Sequence, residues 1–333
     1  MQISVVIPTC NRPQRLLLLL ENLDNSSYPL VEVIIVDSGE EKLASGDYER
    51  FKNLSILYLT SEKSVCVQRN IGIKTAKCEW VFICDDDIEM PPQYLRKIAD
   101  HVAIHREAGA VSGLVLQKEK NEWRGSYPVT SALRLTWKFI FQMSIWGEIN
   151  CKKNLITEHI KKFYHRKGNH ISRAGWPVIT DFTGEYFVTP VFGLGASVVK
   201  KEWLINSLYD EVLDRHGIGD NYGVSINFPG GIHVIPNAFV FHHQEYTNRL
   251  YRPLQYFRRV LALDYFVTTN RKLHFVKKTW LLWSLIGNLI EFLFVRDKLM
   301  IPPAVKSMLK IISGKNPYLL AAKEKKRITE PVY

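Results

Sequence analysis

The residues best equipped for chemistry are three consecutive carboxylates, Asp85-Asp86-Asp87, which stop a run of apolar residues, Trp80-Val81-Phe82-Ile83-Cys84. A short apolar run that ends abruptly on polar residues reads as a buried parallel strand, and α/β proteins place ligands beyond the carboxyl ends of such strands. Adjacent carboxylates in a partly closed crevice repel one another, so a divalent cation or a hydrogen-bonding ligand is expected to relieve them. With strand geometry carried through the triplet, Asp85 and Asp87 face one side, toward a metal-bound phosphate, and Asp86 faces back into the protein. A solvated acidic turn before the helix that Met90-Pro91-Pro92 would start is the plainer alternative.

The elements that must position these acids are legible upstream. Ile3 to Ile7 is an apolar strand, Pro8-Thr9-Cys10-Asn11-Arg12-Pro13 is a turn, and Leu16 to Leu20 with Leu23 form a helix face, the first half of a βαβ unit. Val31 to Val36 makes a second strand closed by Asp37, an acid placed to accept hydrogen bonds from a base or ribose. Ser55 to Leu59 is a third strand. Val65 to Ala76 reads as a helix with Arg69 and Asn70 near its first turn, where capping is the alternative role, and with Gly72 and Ala76 small enough for close packing. Further strands are expected at 109–116 and 232–241. Residues 123–167 show no clear period, and Tyr164 to His170 reads as a solvated loop.

In their order and spacing, P-T-C-N-R at 8–12, V-D-S-G at 36–39, Q-R-N-I-G-I-K-T-A at 68–76 and W-V-F-I-C-D-D-D at 80–87 resemble the nucleotide-sugar half of family 2 glycosyltransferases. The resemblance implies the GT-A fold, an α/β domain with a mostly parallel Rossmann-like central sheet flanked by helices, and an inverting transfer from a pyrimidine nucleotide-sugar, with UDP expected. It implies that Asp37 accepts from the pyrimidine ring and that the loop of Pro8, Thr9, Asn11 and Arg12 covers the base and diphosphate. Arg69 and Asn70 would then lie near base and ribose. Asp85, Asp86 and Asp87 would form the D-x-D region, Asp85 meeting the ribose and Asp87 with Asp85 holding Mn²⁺ or Mg²⁺. The stretch Thr189 to Lys201 resembles the loop and short strand that floor the sugar pocket, with Gly195 permitting close approach. Tyr209-Asp210-Glu211 and Gly217-Ile218-Gly219-Asp220 fall where the family carries F-D-E and G-x-E-D, which makes Asp220 the expected general base. The preceding acid is replaced by Gly219 and the later D-L-x-x-R is absent, so Asp210, Glu211 and Asp214 stay rivals. A histidine after the strand 232–241 would complete the metal sphere, His242 being preferred to His243.

The chain has 333 residues and a net charge of +11, with 46% apolar residues, enough for a real core. Residues 246–333 hold 17 of the 44 Lys and Arg and 5 of the 33 acids, a net of +12, which leaves −1 for residues 1–245. A basic, apolar C-terminal third points to an anionic membrane surface rather than to nucleic acid. The expected organisation is a nucleotide-sugar half over 1–110, an acceptor half over 111–245 and a basic amphipathic helical extension over 246–333. Residues 279–295 are too short and too interrupted to span a bilayer. They suit a helix lying in the interface, with a helix packed on the catalytic domain as the alternative. Five cysteines without paired spacing, and an opening strand without an apolar targeting segment, fit a cytoplasmic protein bound peripherally to the inner membrane face. The expected acceptor is a saccharide or lipid-linked saccharide. Two other classes compete: a nucleotidyltransferase, which would want a Gly-rich phosphate loop where 8–13 has no glycine, and a non-catalytic sugar- or membrane-binding protein of the same fold.

Overall fold

In chain order the strands are β1 (Ile3–Thr9), β2 (Glu32–Asp37), β3 (Ile56–Thr60), β4 (Trp80–Cys84), β5 (Ile88–Glu89), β6 (Ala110–Glu119), β7 (Glu122–Arg124), β8 (Ile145–Trp146), β9 (His170–Ile171), β10 (Pro177–Ile179), β11 (Phe187–Thr189), β12 (Ala196–Lys200) and β13 (Ile232–His242). The helices are α1 (Pro13–Asp24), α2 (Ser45–Tyr48), α3 (Val65–Thr75), α4 (Tyr94–Ile104), α5 (Ala132–Ile140), α6 (Leu155–Lys167), α7 (Lys201–Ile205), α8 (Asp220–Ser225), α9 (Arg252–Thr269), α10 (Lys278–Phe294), α11 (Ile301–Ile312) and α12 (Pro317–Lys323). This computed structural model describes residues 1–244, 250–329 and 332. The boundary expected at 245/246, and Arg249 as the first basic residue beyond it, lie outside the described residues. The chain divides into two compact units: Met1–Gly125 with Thr183–Glu211 and Arg215–Arg249, and Ser126–Phe182 with Val212–Asp214 and Leu250–Tyr333.

The first unit is built on one sheet of order β11-β13-β6-β12-β4-β1-β2-β3. The run β4-β1-β2-β3 is parallel, as is β13 on β6, and β12 is inserted antiparallel to both β4 and β6. Every residue of β1, β2 and β4 is buried, which explains why these strands read as continuous apolar runs and not as alternating ones. Helix α3 lies tight on β1 because position 72 is glycine: a Cβ there would overlap Val6. Gln68 on the same helix donates from Nε2 to the carbonyls of Thr9 and Val36, 2.7 Å each, tying together the ends of β1 and β2. The polar residues that follow β1, β2 and β4 therefore emerge side by side at one edge of the sheet.

In the second unit, β8, β9 and β10 form a small sheet, and Leu135, Ile145, Ile160 and Val178 share a core. Residues 164–167 are the last turn of α6, with His165, Arg166 and Lys167 at its carboxyl end, where cations suit the helix dipole. The loop expected over 164–170 is thus corrected over its first part. The interfacial helix expected over 279–295 is corrected as well. In α10, Leu281, Ser284, Leu285 and Gly287 are buried, a Cβ on Gly287 would overlap Phe141, and Trp176 Nε1 donates to Ser284 Oγ at 2.8 Å. The helix is a core element of its unit, and an apolar run without a polar face carries no period to reveal that. No helix among the described residues is long and apolar enough to cross a membrane.

Candidate active site

The acidic triplet follows β4 directly, but a turn begins there, so strand alternation does not run through it. Asp85 accepts from Arg69 Nη2 at 2.6 Å. Asp86 accepts from Thr9 Oγ1 at 2.7 Å and from Arg12 Nη1 at 2.9 Å, and Asp87 lies 3.4 Å from the same Arg12 nitrogen. The expected split, with Asp85 and Asp87 together and Asp86 turned away, is therefore corrected: Asp86 and Asp87 share Arg12, and Asp85 faces Arg69. Thr9 is at the carboxyl end of β1, which is why that loop meets the acids at all.

Arg69 joins the two halves of the site. Its Nη1 donates to Asp220 and its guanidinium lies 5.0 Å from the centre of the Tyr209 ring. Asp220, at the start of α8, also accepts from the Asn221 backbone N–H at 2.6 Å. A continuous chain of charge thus runs Asp85–Arg69–Asp220 within the first unit. The rivals for Asp220 stand elsewhere: Glu211 accepts from Asn70 at 2.9 Å, and Asp214 is fully buried in the second unit against Arg258 and Tyr318. The Nε of Arg69 is buried without a partner among the described residues, an orphan donor beside the acids that a polar ligand would satisfy.

His242, the last residue of β13, sits with Nε2 3.2 Å from Asp87 Oδ1. His243 takes the other side of the chain, as neighbouring strand-end residues do, and meets Glu89 at 2.6 Å. One carboxylate and one imidazole suit Mn²⁺ or Mg²⁺ in chemistry, with the remaining ligands left to phosphate oxygens. Among the described residues no three His, Cys, Asp or Glu are grouped to hold an ion by themselves. Asp85, expected as a second protein ligand, is engaged by Arg69 instead.

The electrostatics follow from burial. Burial pushes the Asp86 carboxyl up to about 6, Arg12 and Thr9 pull it back, and the charge of Asp87 adds to the rise. Burial alone would raise Asp87 too, yet His242 and Arg12 hold it below the usual carboxylate range. Asp220 is pushed up to about 6 by burial, with Arg69 pulling it down and Asp85 opposing that pull.

The remaining expected residues divide by what they touch. Asp37 is buried at the end of β2, accepting from the Gly39 N–H at 2.7 Å and from the Tyr58 hydroxyl, with Tyr58 stacked on Tyr48. Pro8 is buried in β1 opposite Val36. Asn11, at φ 54°, uses Oδ1 to accept from the backbone of Glu40 and Glu41, which makes it a clamp between two loops. Asn70 is corrected as a ligand contact: both of its amide N–H groups are taken by the Tyr209 carbonyl and Glu211, and its oxygen accepts from Tyr209 N–H. Tyr58 carries no signal in the sequence, whereas Gln68 and Tyr209 stand first in the stretches Q-R-N-I-G-I-K-T-A and Tyr209-Asp210-Glu211, which assign them no role of their own.

Gly195 is needed for contact, not for backbone freedom. A Cβ there would overlap the Asp85 carboxylate, and its carbonyl accepts from Asp85 N–H at 2.8 Å. Gly195→Ala is expected to displace Asp85 from Arg69 and lower kcat/KM by roughly 10²-fold, the cost typical of a misplacement near 1 Å. Steady-state kinetics beside a melting curve check this, the folded fraction staying unchanged.

The family model described as Glycosyl transferase family 2 matches residues 4–167. An uncharacterized glycosyltransferase, YwdF of Bacillus subtilis (strain 168), is 32% identical over 138 residues, 40% of this chain and 49% of that protein. The chain therefore spans about half the length of that relative. Among solved structures, TarS 1–349 of S. aureus superposes with a TM-score of 0.55 at 14% identity, covering 96% of this chain and 83% of that one. The same protein in complex with UDP-GlcNAc gives 0.51 at 11% identity, covering 98% and 93%. GalNAc-T7 with UDP, GalNAc and Mn²⁺ gives 0.52 at 13% identity, covering 86% and 54%. At these identities the structural likeness is one of fold, and the fold is the expected one.

Proposed function

We propose that this chain, which belongs to the family 2 glycosyltransferases through residues 4–167, transfers a sugar with inversion from a UDP-sugar to a hydroxyl of a saccharide or lipid-linked saccharide. The observation that carries the reading is the charge chain Asp85–Arg69–Asp220, which joins the acids at the end of β4 to a second, buried carboxylate. In this reading the acceptor oxygen attacks the anomeric carbon on the face opposite the diphosphate. The bond from that carbon to the diphosphate oxygen breaks, and Asp220 takes the hydroxyl proton. Arg69 orients Asp220 and Asp85 together, so that base and donor site share one fixed reference.

Asp37, braced by Tyr58 and Gly39, would accept from the uracil ring, and Arg12 would turn from Asp86 and Asp87 toward the diphosphate. Asp87 and His242 would hold Mn²⁺ or Mg²⁺, which when bound neutralises the charge that builds on the leaving diphosphate. Support for that assignment comes from GalNAc-T7, whose structure contains UDP and Mn²⁺, and from TarS, whose structure contains UDP-GlcNAc. Contact with an anionic membrane through residues 246–333, and a place at the inner face of the cell membrane in cell-surface glycan synthesis, complete the reading; the net charge of +12 there supports them.

A panel of UDP- and other nucleotide-sugars, incubated with the protein and Mn²⁺ and assayed for release of the nucleoside diphosphate, tests the reading. One or a few UDP-sugars are expected to turn over, with EDTA abolishing the signal. Release of pyrophosphate from a nucleoside triphosphate and a sugar phosphate would instead mark a nucleotidyltransferase, and silence across the panel would favour a binding protein.

A further inference from the structure

The second unit carries an apolar surface turned the wrong way for a helix packed only against its own core. In α11 the buried positions are Ala304, Ser307 and Ile311, and small residues dominate them. The exposed stripe is the more apolar one: Val305, Leu309 and Ile312 recur at helical spacing, with Leu309 61% and Ile312 65% exposed. The segment that leads into α11 is exposed and apolar too: Leu299 is 74% exposed, and at the end of α10 Phe294 is 79% and Val295 65% exposed. Scattered apolar residues on a surface are ordinary, whereas a continuous series of this size marks a binding face.

Cations frame the same face. Between residues 293 and 315 the sequence carries Arg296, Lys298, Lys306, Lys310 and Lys315, and its one acid, Asp297, is taken by Arg252 at 2.9 Å. Beside the stripe opens a groove of about 320 Å³, lined by Leu254, Phe257, Leu299 and Pro302 with Lys298 and Lys306 at its wall. The Lys306 amine lies 5.4 Å from the centre of the Phe257 ring, so charge and apolar wall meet inside the groove. An apolar stripe framed by cations is complementary to a surface that is apolar in depth and anionic at its rim.

We propose that this face docks on an anionic phospholipid bilayer, with α11 lying in the interface and the groove receiving one lipid chain whose phosphate is met by Lys298 and Lys306. The proposal rests on the membrane contact proposed above and assigns it to α11 with only the exposed end of α10, and not to the whole length of the helix expected over 279–295. Leu309 and Ile312 enter the acyl boundary, and the lysines stay at headgroup depth.

Co-sedimentation of the full chain with phosphatidylcholine vesicles, with and without phosphatidylglycerol, tests it. The wild type is expected to pellet with the anionic vesicles only, and the double variant Leu309→Asp/Ile312→Asp to bind them at least roughly tenfold more weakly. Lys298→Glu/Lys306→Glu is expected to weaken binding and to reduce its salt dependence. Melting temperature and nucleotide-sugar turnover in solution are expected to be unchanged in both, since Lys298, Leu309 and Ile312 are exposed, Lys306 is half-exposed, and all four belong to the second unit while the expected donor residues belong to the first. If the wild type pellets with neither vesicle, the membrane contact falls together with this face. If the wild type binds and both variants bind as well as it does, the contact stands and the assignment to α11 is overturned. Conversion of a dimer to a monomer by Leu309→Asp/Ile312→Asp, with no change in vesicle binding, would make the face a contact between copies and overturn the proposal.

Discussion

Asp220→Asn is expected to lower sugar transfer by roughly 10²–10⁴-fold, the range a positioned general base contributes. The change is isosteric, but the carboxylate accepts from Arg69 on one oxygen and from the Asn221 N–H on the other, so the single amide oxygen keeps one of these bonds and loses the other. The fold and the affinity for UDP are expected to survive that loss. The pH profile gives the sharper signature. Burial raises the carboxyl of Asp220 to about 6, above its ordinary value, so the ionised base is lost as the pH falls through that value and kcat falls with it. Above it the base is ionised and kcat levels off. In the Asn variant this limb should vanish from the residual rate. Asp86 is raised to a similar value, but it sits with Arg12 and Thr9. Its titration should act on the donor's KM and be silent in kcat at saturating donor. An Asp220→Asn enzyme that keeps full turnover, or its acid limb, would place the base elsewhere.

Asp87→Ala is expected to lower turnover by roughly 10³-fold through loss of electrostatic support for the leaving diphosphate. Asp87 Oδ1 lies 3.2 Å from His242 Nε2, so its removal takes away the carboxylate that faces the imidazole. The contrast with Asp86→Asn is the useful control. That residue is held by Thr9 and Arg12, so its loss should raise KM for the donor more than it lowers kcat. Initial rates at saturating Mn²⁺ separate the two, and equal losses in both variants would remove the special role of Asp87.

Much of the site was legible because parallel strands buried on both faces leave an abrupt boundary in the sequence. Val36 to Asp37 and Cys84 to Asp85 are such boundaries, and the carboxylates after them do emerge at one sheet edge. The sequence favours His242 over His243 only as the residue nearer the strand; in the fold the two side chains part, His242 toward Asp87 and His243 toward Glu89. Strand periodicity misled at the triplet, because β4 ends at Cys84 and a turn carries Asp86 and Asp87 to one arginine. Asn70 misled for a different reason. Its partners, Tyr209 and Glu211, lie some 140 positions along the chain, and no local pattern announces a contact of that separation. Residues 126–182 and 250–333 share a unit on the same terms, through long-range packing around Phe141, Trp176 and α10. Family resemblance reached Arg69 and Asp220, but only coordinates revealed that a single guanidinium holds Asp85 and Asp220 at once.

The proposed transfer depends most on Asp87, which with His242 would hold a divalent cation that supports the charge of a bound nucleoside diphosphate. Thermal melting with UDP, Mn²⁺, both or neither, on the wild type and on Asp87→Ala, measures it directly. Ligand at a hundredfold its Kd adds about 2.7 kcal/mol, a rise of several degrees for a domain of this size. The account predicts that rise for the wild type with UDP and Mn²⁺ together, a smaller one with either alone, and its disappearance in Asp87→Ala. No rise in the wild type, or the same rise in the variant, would contradict it.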